Sequence, residues 1–303
     1  SIAILFPGQG SQSVGMLDAL PASFQATRKQ WVTAASQALD LDVDELISIG
    51  PEDRLNQTAI TQPVLLTVNH ILWSIWQQQH PDDSPLCAAG HSLGEFSALV
   101  AAGSLEFGEA VRLVAKRGQL MQNAVPAGAG AMVAILGLPN DVVEAICREV
   151  AEDEVVSPAN YNSPGQLVIA GHAPAVERAM LQAKAAGAKR AVVLPVSVPS
   201  HCHLMSEAAS ELRQALEVVE FKLPRFPIIH NVDAKPRETV DEIREALIQQ
   251  LAEPVQWTSV IKSVVEYGVE TALEIGPGRV LTGLGKRIDK SIEWSSYLQE
   301  LEA

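Results

Sequence analysis

The stretch that most constrains the fold runs Cys87-Ala88-Ala89-Gly90-His91-Ser92-Leu93-Gly94-Glu95-Phe96-Ser97-Ala98-Leu99-Val100-Ala101-Ala102-Gly103. Small and apolar residues lead into Gly-His-Ser-Leu-Gly. Phe96, Leu99 and Val100 then fall at helical spacing, and Gly103 stands where a helix C-terminal glycine belongs. Strand, G-x-S-x-G turn and helix, in that order, form a nucleophile elbow, with the serine at the apex of a strained turn. Gly90 and Gly94 flank Ser92 by two positions, where side chains would hold strand and helix apart. The helix start would aim free N–H groups and its positive dipole end at the place where an oxyanion forms. The same motif also occurs as a glycine-rich turn with an idle serine. The apolar run before it and the helical pattern after it favour the elbow.

A chain of 303 residues can bury a large core, as one big domain or as a domain carrying an insertion. The formal net charge of −14 argues against nucleic-acid binding. Cys87, Cys147 and Cys202 are odd in number, scattered and without C-x-x-C spacing, which fits a reducing compartment and neither a disulfide nor a metal site. No basic segment followed by an apolar core opens the sequence, so no signal peptide is expected. The run from Leu55 to His80 has no charged residue but is rich in Asn, Gln, Thr and His, so it reads as a buried helix and not a membrane span. A cytoplasmic protein without membrane contact, metal or cofactor is expected.

Ile2–Phe6 reads as a buried parallel strand ending at Pro7-Gly8-Gln9-Gly10-Ser11-Gln12. Ser13 replaces the third glycine of G-x-G-x-x-G, so the loop is no dinucleotide fingerprint. It still sits where backbone N–H groups face a site at the carboxyl end of a sheet. Thr61-Gln62-Pro63 is expected to open a long helix, with Thr61 as cap and Pro63 in the first turn. A helix over 109–122 contains Lys116-Arg117-Gly118. A helical glycine costs about 1 kcal/mol against alanine, so Gly118 implies close approach to its backbone. Arg117 is either a solvated cation or a buried guanidinium aimed at a carboxylate.

The rhythm changes after Pro126-Ala127-Gly128-Ala129-Gly130. Strands over 131–138, 155–161, 166–170 and 191–198, with helices over 141–150 and 173–186, give β-α-β-β-α-β, a ferredoxin-like unit. The expected fold is therefore α/β. An α/β-hydrolase-like core with a parallel sheet covers 1–125 and 199–303, and a ferredoxin-like subdomain over 126–198 is inserted into it. A cleft between the two would suit a ligand. The core resumes at Pro199-Ser200-His201-Cys202-His203, with strands expected over 227–232 and 272–275 and helices over 206–219 and 241–251.

A nucleophilic serine needs a base and an oxyanion hole. The residues alone do not choose among His70, His80, His91, His172, His201, His203 and His230, although His91 is expected to point off the elbow and His201 follows the return from the insertion. An ordered set of motifs goes further. Gly8-Gln9-Gly10-Ser11-Gln12, Gly90-His91-Ser92-Leu93-Gly94-Glu95, Lys116-Arg117-Gly118, Asn160-Tyr161-Asn162-Ser163-Pro164-Gly165-Gln166, Pro199-Ser200-His201-Cys202, Pro254-Val255-Gln256-Trp257 and Glu274-Ile275-Gly276-Pro277-Gly278 occur in sequence between about Ile2 and Ile288. Together they resemble the malonyl-CoA:acyl carrier protein transacylase family of bacterial dissociated fatty acid synthesis.

The resemblance implies Ser92 as acylated nucleophile and His201 as its base, oriented by the Gln250 main-chain carbonyl. It further implies an oxyanion hole from the Gln9 and Leu93 N–H groups, Arg117 paired with the malonyl carboxylate, and Asn162 and Gln166 near the substrate. The partners it implies are malonyl-CoA and, by transient docking, an acidic acyl carrier protein. Docking two acidic proteins needs a local basic patch, for which Lys189-Arg190 and Lys286-Arg287 are candidates. The tail after Ile288 has no counterpart in the resemblance. Two other enzyme readings are a discrete acyltransferase of a polyketide or malonate pathway and a serine esterase or thioesterase. Esterases of this fold place the histidine near the C-terminus after an acid, which this chain does not do. A carrier-binding protein with a dead site is disfavoured by Ser92, His201 and Arg117 occurring together.

Overall fold

The computed structural model describes residues 1–196 and 198–303. The first part of the chain forms β1 (Ile2–Phe6), α1 (Gln25–Leu39), α2 (Val43–Ser48), α3 (Glu52–Leu55), α4 (Thr58–Gln79), β2 (Cys87–Gly90), α5 (Leu93–Ala101) and α6 (Phe107–Asn123). The middle part forms β3 (Gly130–Leu136), α7 (Asn140–Val150), β4 (Val156–Ser163), β5 (Gln166–His172), α8 (Ala173–Ala185) and β6 (Arg190–Val193). The remainder forms α9 (Ser206–Glu217), β7 (Ile228–Ile229), α10 (Val240–Ala252), α11 (Trp257–Glu266), β8 (Thr271–Glu274), α12 (Val280–Ile288), β9 (Glu293–Ser296) and α13 (Tyr297–Glu302).

The architecture is α/β with two separate sheets. The first is parallel, in the order β7-β2-β1-β8-β9. Its central strand β1 alternates between two cores. Ile4 and Phe6 pack with α4, α5 and α6, while Ala3 and Leu5 pack with Val260, Ile261 and Leu284 on the opposite face. Burial on both faces explains why β1 and β2 are continuous apolar or small runs. The second sheet is antiparallel, in the order β4-β5-β3-β6, with α7 and α8 on one face. Its edge strand β4 is tied to the segment before α11. Tyr161 N donates to Val255 O at 2.9 Å, and Val255 N donates to Ala159 O at 2.8 Å.

Several expected boundaries move for local reasons. Helix α4 begins at Thr58, not Thr61. Thr61 is no cap: its hydroxyl donates to Leu55 O at 2.5 Å and to Gln57 O at 3.0 Å from inside the helix. Pro63 consequently falls in the second turn. The strand expected over 227–232 is only Ile228–Ile229, because the chain turns where Ala234 N donates to His230 O at 2.9 Å. The strand expected over 191–198 covers Arg190–Val193, and Ser197 lies outside the described residues. The tail after Ile288 supplies β9, an edge strand parallel to β8, and α13. No helix among the described residues is long and apolar enough to cross a membrane.

Gly118 lies where α6 crosses the start of α4. A Cβ there would stand 2.7 Å from Thr58 O and 2.9 Å from Ala59 Cα, both backbone atoms that cannot swing aside. Gly118→Ala gains about 1 kcal/mol in helix propensity but forces the helices apart at a cost of about 1–3 kcal/mol. The overpacking wins, because the atoms in the way belong to the α4 backbone and not to a flexible side chain. Urea denaturation should show a lower midpoint for Gly118→Ala; an unchanged or higher midpoint would contradict this packing.

Candidate active site

Parallel pairing puts the carboxyl ends of β1, β2 and β7 side by side, with Phe6 opposite Gly90 and Ala89 opposite Ile229. The loops leaving those strands therefore meet at one edge. His91 N donates to Phe6 O at 3.0 Å, which ties the end of β1 to the turn after β2, and Asn69 Nδ2 donates from α4 to Pro7 O at 3.1 Å.

Ser92 sits in that turn at φ 52° and ψ −111°, immediately before α5. For a non-glycine residue this is a sparsely populated backbone state costing about 1–3 kcal/mol. The flanking glycines make the turn possible. A Cβ on Gly90 would lie 1.9 Å from the Gly94 carbonyl, and one on Gly94 would lie 2.1 Å from Phe6 O. Leu93 is the first residue of α5, so its N–H is among those a helix start leaves without an intrahelical acceptor.

His201, 109 residues further on, brings its ring to the serine: Nε2 and Ser92 Oγ are 2.8 Å apart. Its Nδ1 is 2.7 Å from Gln250 O. A carbonyl only accepts, so Nδ1 carries the proton and Nε2 is free to accept the serine hydroxyl proton. Gln250 lies in the last turn of α10, where carbonyls have no intrahelical donor. His201 N also donates to Leu251 O at 3.1 Å. Serine and histidine thus occupy opposite helix poles, Ser92 at the positive end of α5 and His201 at the negative end of α10. A helix C-terminus stabilises an imidazolium by roughly 0.3–2 kcal/mol. Burial pushes His201 down to about 3, helped by the neighbouring positive charge of Arg117.

Arg117 is 1% exposed. Its Nη1 donates to Gln62 Oε1 at 2.7 Å, and its Nη2 donates to Gln250 Oε1 at 2.7 Å and to Ser92 Oγ at 3.2 Å. Its Nε has no hydrogen-bond partner. No carboxylate forms an ion pair with it among the described residues. Burial lowers it to about 10, opposed by the more distant charge of Glu95, so it stays cationic at neutral pH. A buried cation held by neutral amides, with a donor facing the serine oxygen, can receive an anionic group.

A cavity of about 380 Å³ opens onto this group. The parallel-sheet unit contributes Gln9, Gln62, Ser92 and Arg117, and the antiparallel unit contributes Met132 and Asn160. A wider groove of about 990 Å³ along α1 holds none of these residues. Of the residues expected at the site, Ser92, His201, Gln250 and Arg117 converge, with Gln9 and Leu93 beside them. Asn162 and Gln166 do not line the cavity. Asn162 Oδ1 accepts from His91 Nε2 at 2.8 Å, and Gln166 Oε1 accepts from Arg287 Nη1 at 3.0 Å on the exposed rim. His91, expected to point away, borders the cavity, and burial lowers its pKa. Lys189, Arg190, Lys286 and Arg287 are all exposed. Sequence reasoning missed Gln62, Asn160 and Asn231. Gln62 had only its place beside Pro63 to mark it, and Asn231 only its place just past a buried strand. No cluster of metal-ligating side chains occurs among the described residues.

The acyl transferase domain model matches residues 4–296. The malonyl CoA-acyl carrier protein transacylase of Escherichia coli strain K12 is 53% identical over 286 residues, covering 94% of this chain and 92% of that protein. Among solved structures, an acyl carrier protein S-malonyltransferase from Vibrio cholerae matches with TM-score 0.93 and 52% identity, over 97% of this chain and 96% of that one. A malonyl-transacylase solved in complex with its type II polyketide acyl carrier protein matches with TM-score 0.95 and 49% identity, over 99% and 98%. The chain belongs to the acyl transferase domain family, among the malonyl CoA-acyl carrier protein transacylases.

Proposed function

We propose that the chain transfers malonyl from malonyl-CoA to the phosphopantetheine thiol of an acyl carrier protein, through a malonyl ester on Ser92. The observation that carries this reading is the buried, carboxylate-free Arg117 donating to the nucleophile's own oxygen. Malonyl-CoA enters with its carboxylate on Arg117. His201 Nε2 takes the Ser92 proton as Oγ attacks the thioester carbonyl. The Leu93 and Gln9 N–H groups receive the oxyanion, and the imidazolium returns its proton to the departing CoA thiolate. The carrier thiol then repeats the sequence in reverse. A main-chain carbonyl supports an imidazolium less well than the carboxylate of a hydrolase triad. A thiolate leaves readily enough (thiol pKa about 8.5) for that support to suffice.

The same reading describes the first sheet as an α/β-hydrolase-like core (1–125 and 199–303) and the second as an inserted ferredoxin-like subdomain (126–198). The order β4-β5-β3-β6 with helices on one face supports the latter. It also places the enzyme in the cytoplasm, supplying malonyl carrier protein for fatty acid elongation. The relative bound to a polyketide carrier favours a second reading in which the carrier belongs to such a pathway.

Arg117 gives selectivity in two ways. Its pairing with a carboxylate contributes roughly 1.5–3 kcal/mol, and acetyl-CoA leaves it buried without an anion. Its charge also disfavours protonating His201. A malonyl carboxylate cancels that charge, so the base strengthens when the correct substrate is bound. Arg117→Ala should lower the acylation rate with malonyl-CoA by about 10–100-fold and erase most of the preference over acetyl-CoA. Competition between the two thioesters, read by product mass, measures this; an unchanged preference would contradict it.

The pH dependence carries a definite sign. kcat/KM reports ionisations of the free enzyme. With His201 held at about 3, the base is unprotonated throughout the neutral range. kcat/KM for malonyl-CoA should be flat from about pH 8 to about pH 5.5, whereas an acid limb centred near the ordinary histidine value of about 6.5 would contradict this assignment.

A further inference from the structure

We infer that Glu95, His230 and Asn231 are positioning residues that hold the nucleophile elbow in register, with Asn231 standing in for a peptide unit of the neighbouring strand. The inference rests on Ser92 being the nucleophile. Strand β7 pairs with β2 only as far as Ala89–Ile229, and the chain after each strand then leaves the sheet. At that point the Asn231 side-chain amide takes over the ladder. Its Nδ2 donates to Gly90 O at 2.7 Å, and its Oδ1 accepts from Ser92 N at 2.8 Å. One amide thus grips the backbone on both sides of His91 and fixes the residue with the unusual φ. The same Oδ1 accepts from Gln250 Nε2 at 3.3 Å, and that Nε2 also donates to Ser92 O at 2.9 Å. Gln250 presents its carbonyl to His201 and its Oε1 to Arg117, so nucleophile, base and anion receptor share one set of amide contacts.

Asn231 is itself held from behind. Its N–H donates to Glu95 Oε2 at 2.8 Å, and His230 Nδ1 donates to Glu95 Oε1 at 2.7 Å. Glu95 and Asn231 are fully buried, and His230 is 1% exposed. None of the three lines the cavity. A carboxylate sealed in the first turn of α5 contacts neither substrate space nor solvent. Its two oxygens meet adjacent residues of the β7 exit, which locks the first turn of α5 against the strand end beside the elbow. Displacing a reacting group by about 1 Å costs about 100-fold in rate, so this clamp should act on turnover and not on substrate affinity.

The test is rapid-quench mass spectrometry of single-turnover acylation by malonyl-CoA, with Asn231→Ala, Glu95→Gln and the parent chain compared at equal folded fraction. Both variants should acylate roughly ten- to a hundredfold more slowly, while half-saturation by malonyl-CoA stays within about threefold, because neither removes a hydrogen-bond partner of Arg117 or a residue lining the cavity. Glu95→Gln keeps the size of the side chain, so it decides the matter if Asn231→Ala does not fold. Parental acylation rates in the folded variants would overturn the inference. So would a rate loss matched by an equal rise in the malonyl-CoA concentration at half-saturation, which marks general disruption of the site. If the parent formed no adduct at Ser92, the functional reading itself would fall, and with it this inference. Parental rates in the variants alongside a normal parent adduct would remove only the clamp.

Discussion

Everything at the site depends on one backbone constraint, the serine held at φ 52° between β2 and α5. A turn that sharp lets strand and helix approach until Gly90 meets Gly94 and Gly94 meets Phe6 O, distances no side chain tolerates. The approach is what points the start of α5 at the reaction space and leaves Oγ exposed to a base from a distant segment. His201 carries the same kind of backbone, at φ 59°, beside the end of α10. Two residues of unfavourable conformation facing each other are stable because rigid, buried elements over-determine both.

The electrostatics follow from what is buried and with what. Among the described residues the site holds one permanent cation with no paired anion, and a histidine that burial and this cation keep neutral. Such a site is unfinished without a carboxylate. In the proposed mechanism the substrate supplies it, and so completes both the ion pairing and the basicity of the imidazole. A neutral carbonyl behind His201 fits this arrangement, because a second buried anion at Nδ1 would compete with the substrate for the charge of Arg117.

Much of this was legible in the sequence, though unevenly. The elbow, the glycines around it and the close approach at Gly118 follow from local rules, since each depends on residues within a few positions of one another. The β-α-β-β-α-β rhythm likewise placed the antiparallel sheet. What local pattern does not carry is contact across the fold. Asn231 meets Ser92 across 139 positions, and Gln62 meets Arg117 across 55. Neither amide differs in kind from any surface glutamine or asparagine. Asn162, expected at the substrate, holds His91, and it is Asn160, two residues earlier on the same strand β4, that lines the cavity. The parallel edge strand β9 was invisible because four residues, only one of them strongly apolar, give no periodicity.

The most direct measurement is the intact mass of the protein after mixing with malonyl-CoA, beside Ser92→Ala. The account predicts a single malonyl adduct on the parent chain, none on Ser92→Ala, and discharge of the adduct when carrier protein bearing a free phosphopantetheine thiol is added. Steady release of CoA and free malonate without an adduct would instead mark a hydrolase, and an adduct that survives in Ser92→Ala would contradict the nucleophile itself.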